Sequence, residues 1–340
     1  MPRLAPKRIV IGATHTHSAP DTYAFPDGRG GHTGSLAYMQ FVAEQVAGAI
    51  NDALDGMRPA EIRVASGEAD GKIAYNYYVP DLYDRRAGII QLREAAAPRH
   101  APIATLVNYA VHPEVLGSSQ GVVSPDLVGP LYDRLEAAAG GGVAIFMNGA
   151  QGGMVTADNR NLNGTPRDPL RAYRDDTRSW AECVRIGELL ASEALQIVNP
   201  VAWQASAIVE NKFSDVRFPV SSPELWQVLR HSPLRYPHDA EARTVTARVN
   251  LMRLGDARIL TIPGEALPNI GLYLKHRMPG PHNFLFGLTN EAFGYILTEV
   301  DFHSFARYDY VSRVSLGEQT GEILIREALA LLGVRRAGHN

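Results

Sequence analysis

Two histidines near the start of the chain have the residue type and spacing of a metal site. His15 and His17 belong to the segment 14–18, which directly follows the run 8–13, Arg-Ile-Val-Ile-Gly-Ala, and this run is predicted to be a buried strand. Side chains two positions apart on an extended chain lie on the same face, so both imidazoles could bind one metal, or one could meet the substrate. Imidazole is the commonest metal ligand in proteins, and the pattern therefore predicts metal chemistry. Two solvated histidines in a polar turn are the alternative.

Three further polar residues follow other apolar runs. His112 comes after 103–111, Glu265 comes shortly after the run that ends at Ile262, and Tyr295 comes a few residues after Leu288. Sites of α/β proteins gather at strand ends, and two histidines with a carboxylate form a catalytic type of zinc site. Manganese or iron also fits such donors. Taken singly, each residue also fits an ordinary role, such as a strand-end histidine, a helix-start glutamate or a half-buried tyrosine.

The elements that must position these residues are indicated by apolar periodicity. Strands are predicted at 8–13, 62–65, 88–92, 103–111, 143–147, 204–217, 243–253, 257–262 and 283–288, and helices at 36–56, 126–138, 179–196, 266–277 and 314–332. A polar loop is predicted at 157–178. Alternating strands and helices predict an α/β fold, a mixed sheet flanked by helices with the site at strand ends. We expect one domain over 8–335, with flexible termini at 1–7 and 336–340.

Composition excludes several classes of function. The 340 residues are 45% hydrophobic and 20% charged, and the net charge is −3. Without a basic block, nucleic acid is not expected as a partner. The single cysteine, Cys183, excludes an internal disulfide and a cysteine-rich zinc site. Neither a signal peptide nor an apolar run of the ~20 residues that span a bilayer is visible, so we expect a soluble protein of unknown location. The absence of a Gly-x-Ser-x-Gly elbow argues against a serine hydrolase.

Several motifs together resemble the neutral/alkaline, non-lysosomal ceramidase family. They are Gly-Ala-Thr-His-Thr-His-Ser-Ala-Pro at 12–20, Asn-Tyr-Ala-Val-His-Pro at 108–113, Pro-Gly-Glu at 263–265 and Gly-Tyr at 294–295. They occur in that family's order. The stretch 148–156, Asn-Gly-Ala-Gln-Gly-Gly-Met-Val-Thr, resembles the family's glycine-rich catalytic loop. The resemblance covers about residues 8–330.

The resemblance implies a set of roles for residues of this chain. The zinc ligands would be His15, His112, Glu265 and Tyr295. His17 would contact the substrate carbonyl, and Tyr308 would polarise it or steady the tetrahedral intermediate. Thr156 would stand at the position of the loop's serine, and Asp126 would be a supporting residue.

The implied activity is zinc-dependent hydrolysis of an N-acyl amide, with a ceramide-like lipid or a related acyl amide as substrate. Metal-activated water would attack the amide carbonyl, while His17 and Tyr308 donate hydrogen bonds to the developing oxyanion. The aromatic run 75–79 and the loop around 23–25 could line an apolar groove, although ordinary aromatic packing explains them equally well. Such an enzyme belongs to sphingolipid metabolism, and family members are often secreted.

The sequence also departs from the family. The family's loop usually carries Gly-Asp-Val-Ser-Pro, whereas residues 152–157 read Gly-Gly-Met-Val-Thr-Ala. We expect the family's C-terminal β-sandwich and the segment before the first histidines to be missing, which would expose a strand edge that a homo-oligomer could cover. Two alternatives therefore remain. One is a non-catalytic fragment that binds zinc or lipid, and the other is a zinc deacylase or carboxypeptidase-like hydrolase acting on a smaller amide or ester.

Overall fold

Alternating helices and strands make up the computed structural model, which describes residues 3–96, 102–138, 142–163, 175–205, 207–302, 304 and 309–334. The helices are α1 (Leu36–Asp55), α2 (Val128–Ala138), α3 (Trp180–Val198), α4 (Pro223–His231), α5 (Pro268–Arg277), α6 (Asp309–Arg313) and α7 (Thr320–Leu331). The strands are β1 (Ala60–Glu68), β2 (Ala74–Asn76), β3 (Arg86–Glu94), β4 (Ala104–Tyr109), β5 (Val143–Asn148), β6 (Val155–Ala157), β7 (Arg160–Asn161), β8 (Asp175–Asp176), β9 (Val209–Pro219), β10 (His238–Asp239), β11 (Thr244–Leu254), β12 (Ala257–Thr261), β13 (Glu265–Ala266), β14 (His282–Phe286) and β15 (Tyr295–Ile296). Short 3-10 turns cover Pro6–Arg8 and Ser118–Gln120.

Two larger sheets contain most of these strands. The first has the order β1-β3-β4-β5, in which β4 and β5 are parallel and the other neighbours are antiparallel. The second has the order β10-β11-β12-β14, with β9 also paired to β11, and its β12–β14 pair is parallel. The other strands of the described residues form the two-stranded ladders β2–β6, β7–β8 and β13–β15.

The two sheets pack face to face between two layers of helices, because their strands are apolar on both faces. Along a strand, neighbouring side chains point alternately into the core between the sheets and into the core that faces the helices. Ile89 lies in the core that faces α2 and α3, whereas Ile90 lies between the sheets. Likewise Leu285 lies in the core that faces α5 and α7, whereas Phe284 lies between the sheets. The order of layers is therefore helices, sheet, sheet, helices.

A buried ion pair connects the two halves. Lys275 of α5 is 8% exposed, and its Nζ lies 2.8 Å from Oδ2 of Asp84, in the loop before β3. Arg86 also binds Asp84, with Nε 2.8 Å from Oδ1. Burial alone would raise the pKa of Asp84, but the two cations outweigh burial and lower it. The carboxylate therefore stays ionised and satisfied inside the protein.

The predicted fold class is confirmed, since strands of mixed direction are flanked by helices. The strand predicted at 8–13 is wrong, because this segment makes only an isolated bridge, Gly12 to Thr289, among the described residues. The helix predicted at 314–332 begins only at Thr320, because the backbone before it binds another loop: Ser221 N donates to Leu316 O at 2.8 Å. The sequence prediction also missed α4.

The polar loop predicted at 157–178 contains two short strands, β7 and β8, and its residues 164–174 lie outside the described residues. The bounds predicted for the domain and its termini stay a prediction, and residues 1–2 and 335–340 also lie outside the described part. None of the helices among the described residues combines the length and the apolar character needed to span a bilayer.

Candidate metal centre

The segment that carries His15 and His17 is held at both ends by other loops. Asn148, at the end of β5, donates from Nδ2 to the carbonyl of Thr14 at 2.7 Å. On the other side, His17 N donates to the carbonyl of Pro113 at 3.1 Å. His15 has a φ of +65°, so the chain turns there instead of continuing as a strand. The turn, and not strand alternation, brings the two rings to a centroid distance of 4.9 Å.

His112 follows β4 and is completely buried. Its backbone N–H and its ring Nδ1 both bind the carbonyl of Val155, at 2.9 and 2.8 Å. A carbonyl can only accept, so Nδ1 carries a proton. The other ring nitrogen, Nε2, lies 2.8 Å from Oε2 of Glu265. This arrangement fixes which atom of His112 faces the site, as is usual for a metal-binding histidine.

Glu265 and Tyr295 are opposite each other in the parallel β13–β15 ladder. Both are 5% exposed. The second oxygen of Glu265, Oε1, lies 3.5 Å from Nε2 of His15. The hydroxyl of Tyr295 donates to Sδ of Met154 at 3.3 Å. The glycine-rich loop packs closely on this ladder, because Gly152 N donates to Ala266 O at 2.9 Å.

Three imidazoles converge beside the Glu265 carboxylate. The centroid of the His112 ring lies 5.1 Å from that of His15 and 5.7 Å from that of His17. One ring nitrogen from each of the three histidines can be chosen so that all lie within 4.8 Å of one another. Nε2 of His17 is buried and has no hydrogen-bond partner among the described residues. Imidazole and carboxylate donors fit zinc, so the donor set and the unpartnered nitrogen fit a divalent metal.

The electrostatics of the site favour a neutral His15 and a charged pair between His112 and Glu265. Burial lowers the pKa of His15 to about 4, although the charge of Glu265 opposes it. Burial also lowers the pKa of His112, but the hydrogen bond and charge of Glu265 outweigh burial and raise that pKa to about 9. The same pairing lowers the pKa of Glu265 against the opposing effect of burial. A metal must therefore displace the proton that this pair holds.

Two further predicted site residues are Thr156 and Tyr308, and their roles stay predictions. Thr156 lies in β6, 8% exposed, and its backbone bridges to His112. Tyr308 lies outside the described residues. Tyr310 is described, and its ring centroid lies 5.9 Å from that of Tyr295.

Asp126 is fully buried and shapes the loop that follows His112. Its Oδ1 accepts from Val115 N at 3.1 Å, and its Oδ2 accepts from Leu116 N at 2.9 Å. Asp126 thus fixes the backbone next to Glu114, whose Oε2 lies 3.2 Å from Nδ1 of His17. The supporting role that the resemblance implies for Asp126 stays a prediction.

Sequence reasoning missed one neighbour of the site. Glu114 contacts His17, and the available signal was an acidic residue two positions after a predicted ligand. Tyr23 belongs to the loop around 23–25 that the sequence offers as a lining of an apolar groove. Burial and then the charge of Glu265 raise the pKa of its hydroxyl.

Comparisons with known proteins support the fold. No family model and no curated protein matches the sequence. The structure is similar to that of neutral ceramidase from Pseudomonas aeruginosa, with a TM-score of 0.66 and 16% identity over 95% of this chain and 61% of that one. A structure described as ceramidase complexed with C2 is similar as well, with a TM-score of 0.62 and the same identity and coverage. The chain thus spans about 61% of the length of the structures it matches and has a ceramidase-like fold.

Proposed function

We propose that the protein is a zinc-dependent hydrolase that cleaves the N-acyl amide bond of a ceramide-like lipid or a related acyl amide. The observation that carries the proposal is the cluster of His15, His17 and His112, in which His15 and His112 contact the buried Glu265 carboxylate. The ceramidase-like fold is the second support. The segments whose sequences resemble ceramidase motifs also meet at this point.

Metal binding would use imidazole nitrogens of His15 and His112 and the carboxylate of Glu265. The resemblance adds the Tyr295 hydroxyl as the fourth ligand. Zinc, when bound, supplies Lewis acidity that polarises an acyl carbonyl and lowers the pKa of water toward ~7. His17 stands beside these groups, where its ring can meet either the carbonyl, as the resemblance implies, or the ion. Thr156 and Tyr308 keep their proposed roles as substrate-contacting residues.

Apolar groups next to the site support an acyl substrate. Tyr78 and Met154 pack with Tyr295 in one cluster beside the candidate ligands. Tyr23 and Phe25 stack with ring centroids 4.9 Å apart, and Phe25 is 38% exposed. An apolar surface that is open to solvent near polar catalytic groups suits the acyl chain of a lipid amide.

The test combines metal analysis with a substrate panel. Purified wild type, His112→Ala and a control, His276→Ala, would be analysed for zinc; His276 is an exposed histidine of α5. We expect about one zinc per chain in wild type and in the control, none in His112→Ala, and release of fatty acid from N-acyl sphingosine only where zinc is present.

Other outcomes would contradict the proposal in distinct ways. Zinc without turnover of any acyl amide would favour the non-catalytic, zinc- or lipid-binding alternative. Turnover of N-acyl amino acids or small esters, but not of ceramides, would favour the deacylase alternative. Full activity in metal-free protein would remove the basis of the proposed chemistry.

A further inference from the structure

A loop beside the candidate metal centre has exposed apolar side chains. Its residues, 117–124, include no charged side chain. Val122 and Val123 are adjacent in this loop, and they are 46% and 78% exposed. Single apolar residues are common on protein surfaces, but adjacent ones on an uncharged loop are typical of a contact surface. The loop therefore has the composition of a surface that meets an apolar environment.

Hydrogen bonds fix both ends of the 117–124 loop to the segment that carries the site histidines. Ser124 N donates to the carbonyl of Ser18 at 2.7 Å, and the hydroxyl of Thr16 donates to the carbonyl of Ser124 at 2.8 Å. At the other end, the hydroxyl of Ser18 donates to the carbonyl of Gly117 at 3.1 Å. The exposed valines are consequently held in a defined place next to the candidate metal centre.

The same surface carries a tryptophan and a cation. Gln120 of the loop donates from Nε2 to the carbonyl of Arg178 at 3.4 Å, and the Arg178 side chain is exposed. Trp180, the first residue of α3, is 51% exposed. Residues 117–124 and 177–181 contain this one cation and no acidic residue. The surface is thus apolar with a positive charge at its border.

A lipid surface suits this combination better than a protein partner does. A stable protein interface buries roughly 800 Å² on each side, which is far more than two valines and one tryptophan provide. Tryptophan and arginine favour the boundary between headgroups and acyl chains, because each has an apolar body and a polar end. The uncharged loop can enter that boundary without desolvating an ion, and Arg178 complements an anionic headgroup.

We propose that the 117–124 loop, together with Trp180 and Arg178, docks the protein on a lipid bilayer that bears anionic headgroups. Val122 and Val123 enter the boundary between headgroups and acyl chains, Trp180 lies at that boundary, and Arg178 contacts a headgroup anion. The inference deepens the proposed function and rests on it in one respect, since a lipid amide would be presented to the metal centre at such a surface. Docking itself needs neither metal nor substrate.

Co-sedimentation with vesicles that contain no acyl amide tests the proposal. Wild type would be mixed with phosphatidylcholine vesicles, with and without phosphatidylserine, beside Arg178→Gln and a double variant that combines Val122→Ser with Val123→Ser. We expect the double variant to bind roughly tenfold more weakly or worse, because burying one valine side chain is worth about that factor. Arg178→Gln should lose roughly fivefold on vesicles with phosphatidylserine and be unchanged on the others.

Val209 offers a matched control at the other end of the fold. Its exposure, 76%, is close to that of Val123. It pairs with Leu254 shortly before β12 begins, whereas Glu265 of the metal centre follows the end of β12. Val209→Ser should bind vesicles as wild type does. An equal loss in this control and in the double variant would indicate non-specific adsorption and overturn the proposal.

Tryptophan fluorescence separates insertion from adsorption. Brominated acyl chains quench only tryptophans that reach them; Trp226 is 8% exposed, and the guanidinium groups of Arg63 and Arg93 cover Trp203. We expect vesicles of brominated lipid to quench wild type but not Trp180→Phe, with circular dichroism as the check of folding. Absence of vesicle binding by wild type, or unchanged binding and quenching in the double variant, would overturn the proposal.

Docking and turnover are tested separately. Vesicle binding that the double variant loses, without hydrolysis of any acyl amide, would support the docking surface while the proposed function fails. Hydrolysis of a dispersed short-chain N-acyl amide without vesicle binding would do the reverse. A change from dimer to monomer in the double variant, measured by light scattering without vesicles, would show that a second copy covers the loop and would overturn the proposal.

Discussion

Replacing Gly152 by alanine should damage the metal site through the backbone alone. Gly152 lies in the glycine-rich loop and donates its N–H to Ala266 O at 2.9 Å. A methyl group on its Cα would overlap the carbonyl oxygen of Glu265 and stand 2.7 Å from the carbonyl carbon and oxygen of Ala266. These are backbone atoms, so no side chain can rotate away, and the loop and β13 must separate.

The size of the effect follows from the contact distances. Carbon atoms normally pack at about 3.5–4.0 Å, so the β13 backbone must withdraw by roughly 1 Å. Overpacking of this kind costs about 1–3 kcal/mol of unfolding free energy. Functional side chains must be held within about 0.5 Å of their working geometry, so the shift of Glu265 should also matter for binding. We expect zinc affinity to fall roughly tenfold, as when an outer partner of a metal ligand is lost.

Urea unfolding of the metal-free protein and chelator competition would measure the two effects. Gly48→Ala is the matched control, because Gly48 lies within α1 and a Cβ there meets nothing within 4 Å. The control should gain about 0.5–1 kcal/mol, as glycine is a poor helix former. Unchanged stability in Gly152→Ala would refute the packing argument. A loss of stability with unchanged zinc affinity would refute the link from the loop to Glu265.

Three other predictions concern buried polar groups. Lys275→Ala should cost about 3 kcal/mol in urea unfolding, because it leaves Asp84 buried with only the Arg86 partner; a loss below about 1 kcal/mol would contradict this. The cationic partners of Asp84 outweigh burial and lower the pKa of its carboxyl group. As the pH falls from about 5 to 3, protonation removes the pairing, so wild type should lose stability more steeply than Asp84→Asn. Burial lowers the pKa of His112, but Glu265 outweighs burial and raises that pKa to about 9. Zinc uptake at pH 7 should therefore release close to one proton, which calorimetry in buffers of different ionisation enthalpy would measure. Zero release would show that the pair of His112 and Glu265 holds no proton.

The spacing of apolar residues was sufficient to predict helices and strands whose apolar residues pack at regular intervals. The helix predicted at 36–56 is α1, Leu36–Asp55, and the strand predicted at 143–147 is β5, Val143–Asn148. The segment 8–13 has an equally apolar pattern but is not a strand, since only Gly12 forms a bridge. Whether an apolar run becomes a strand depends on a neighbouring edge that offers hydrogen bonds, and that edge is not encoded locally.

The sequence by itself determined which residues could do chemistry and that the fold is α/β, because residue type and periodicity are local properties. Only the tertiary structure decided which of these residues meet. His112 and Glu265 are 153 positions apart and touch because β13 is joined to the glycine-rich loop that borders His112. His17 meets Glu114 because the first loop is held against the carbonyl of Pro113. Such contacts depend on packing between distant segments, which no spacing in the sequence specifies.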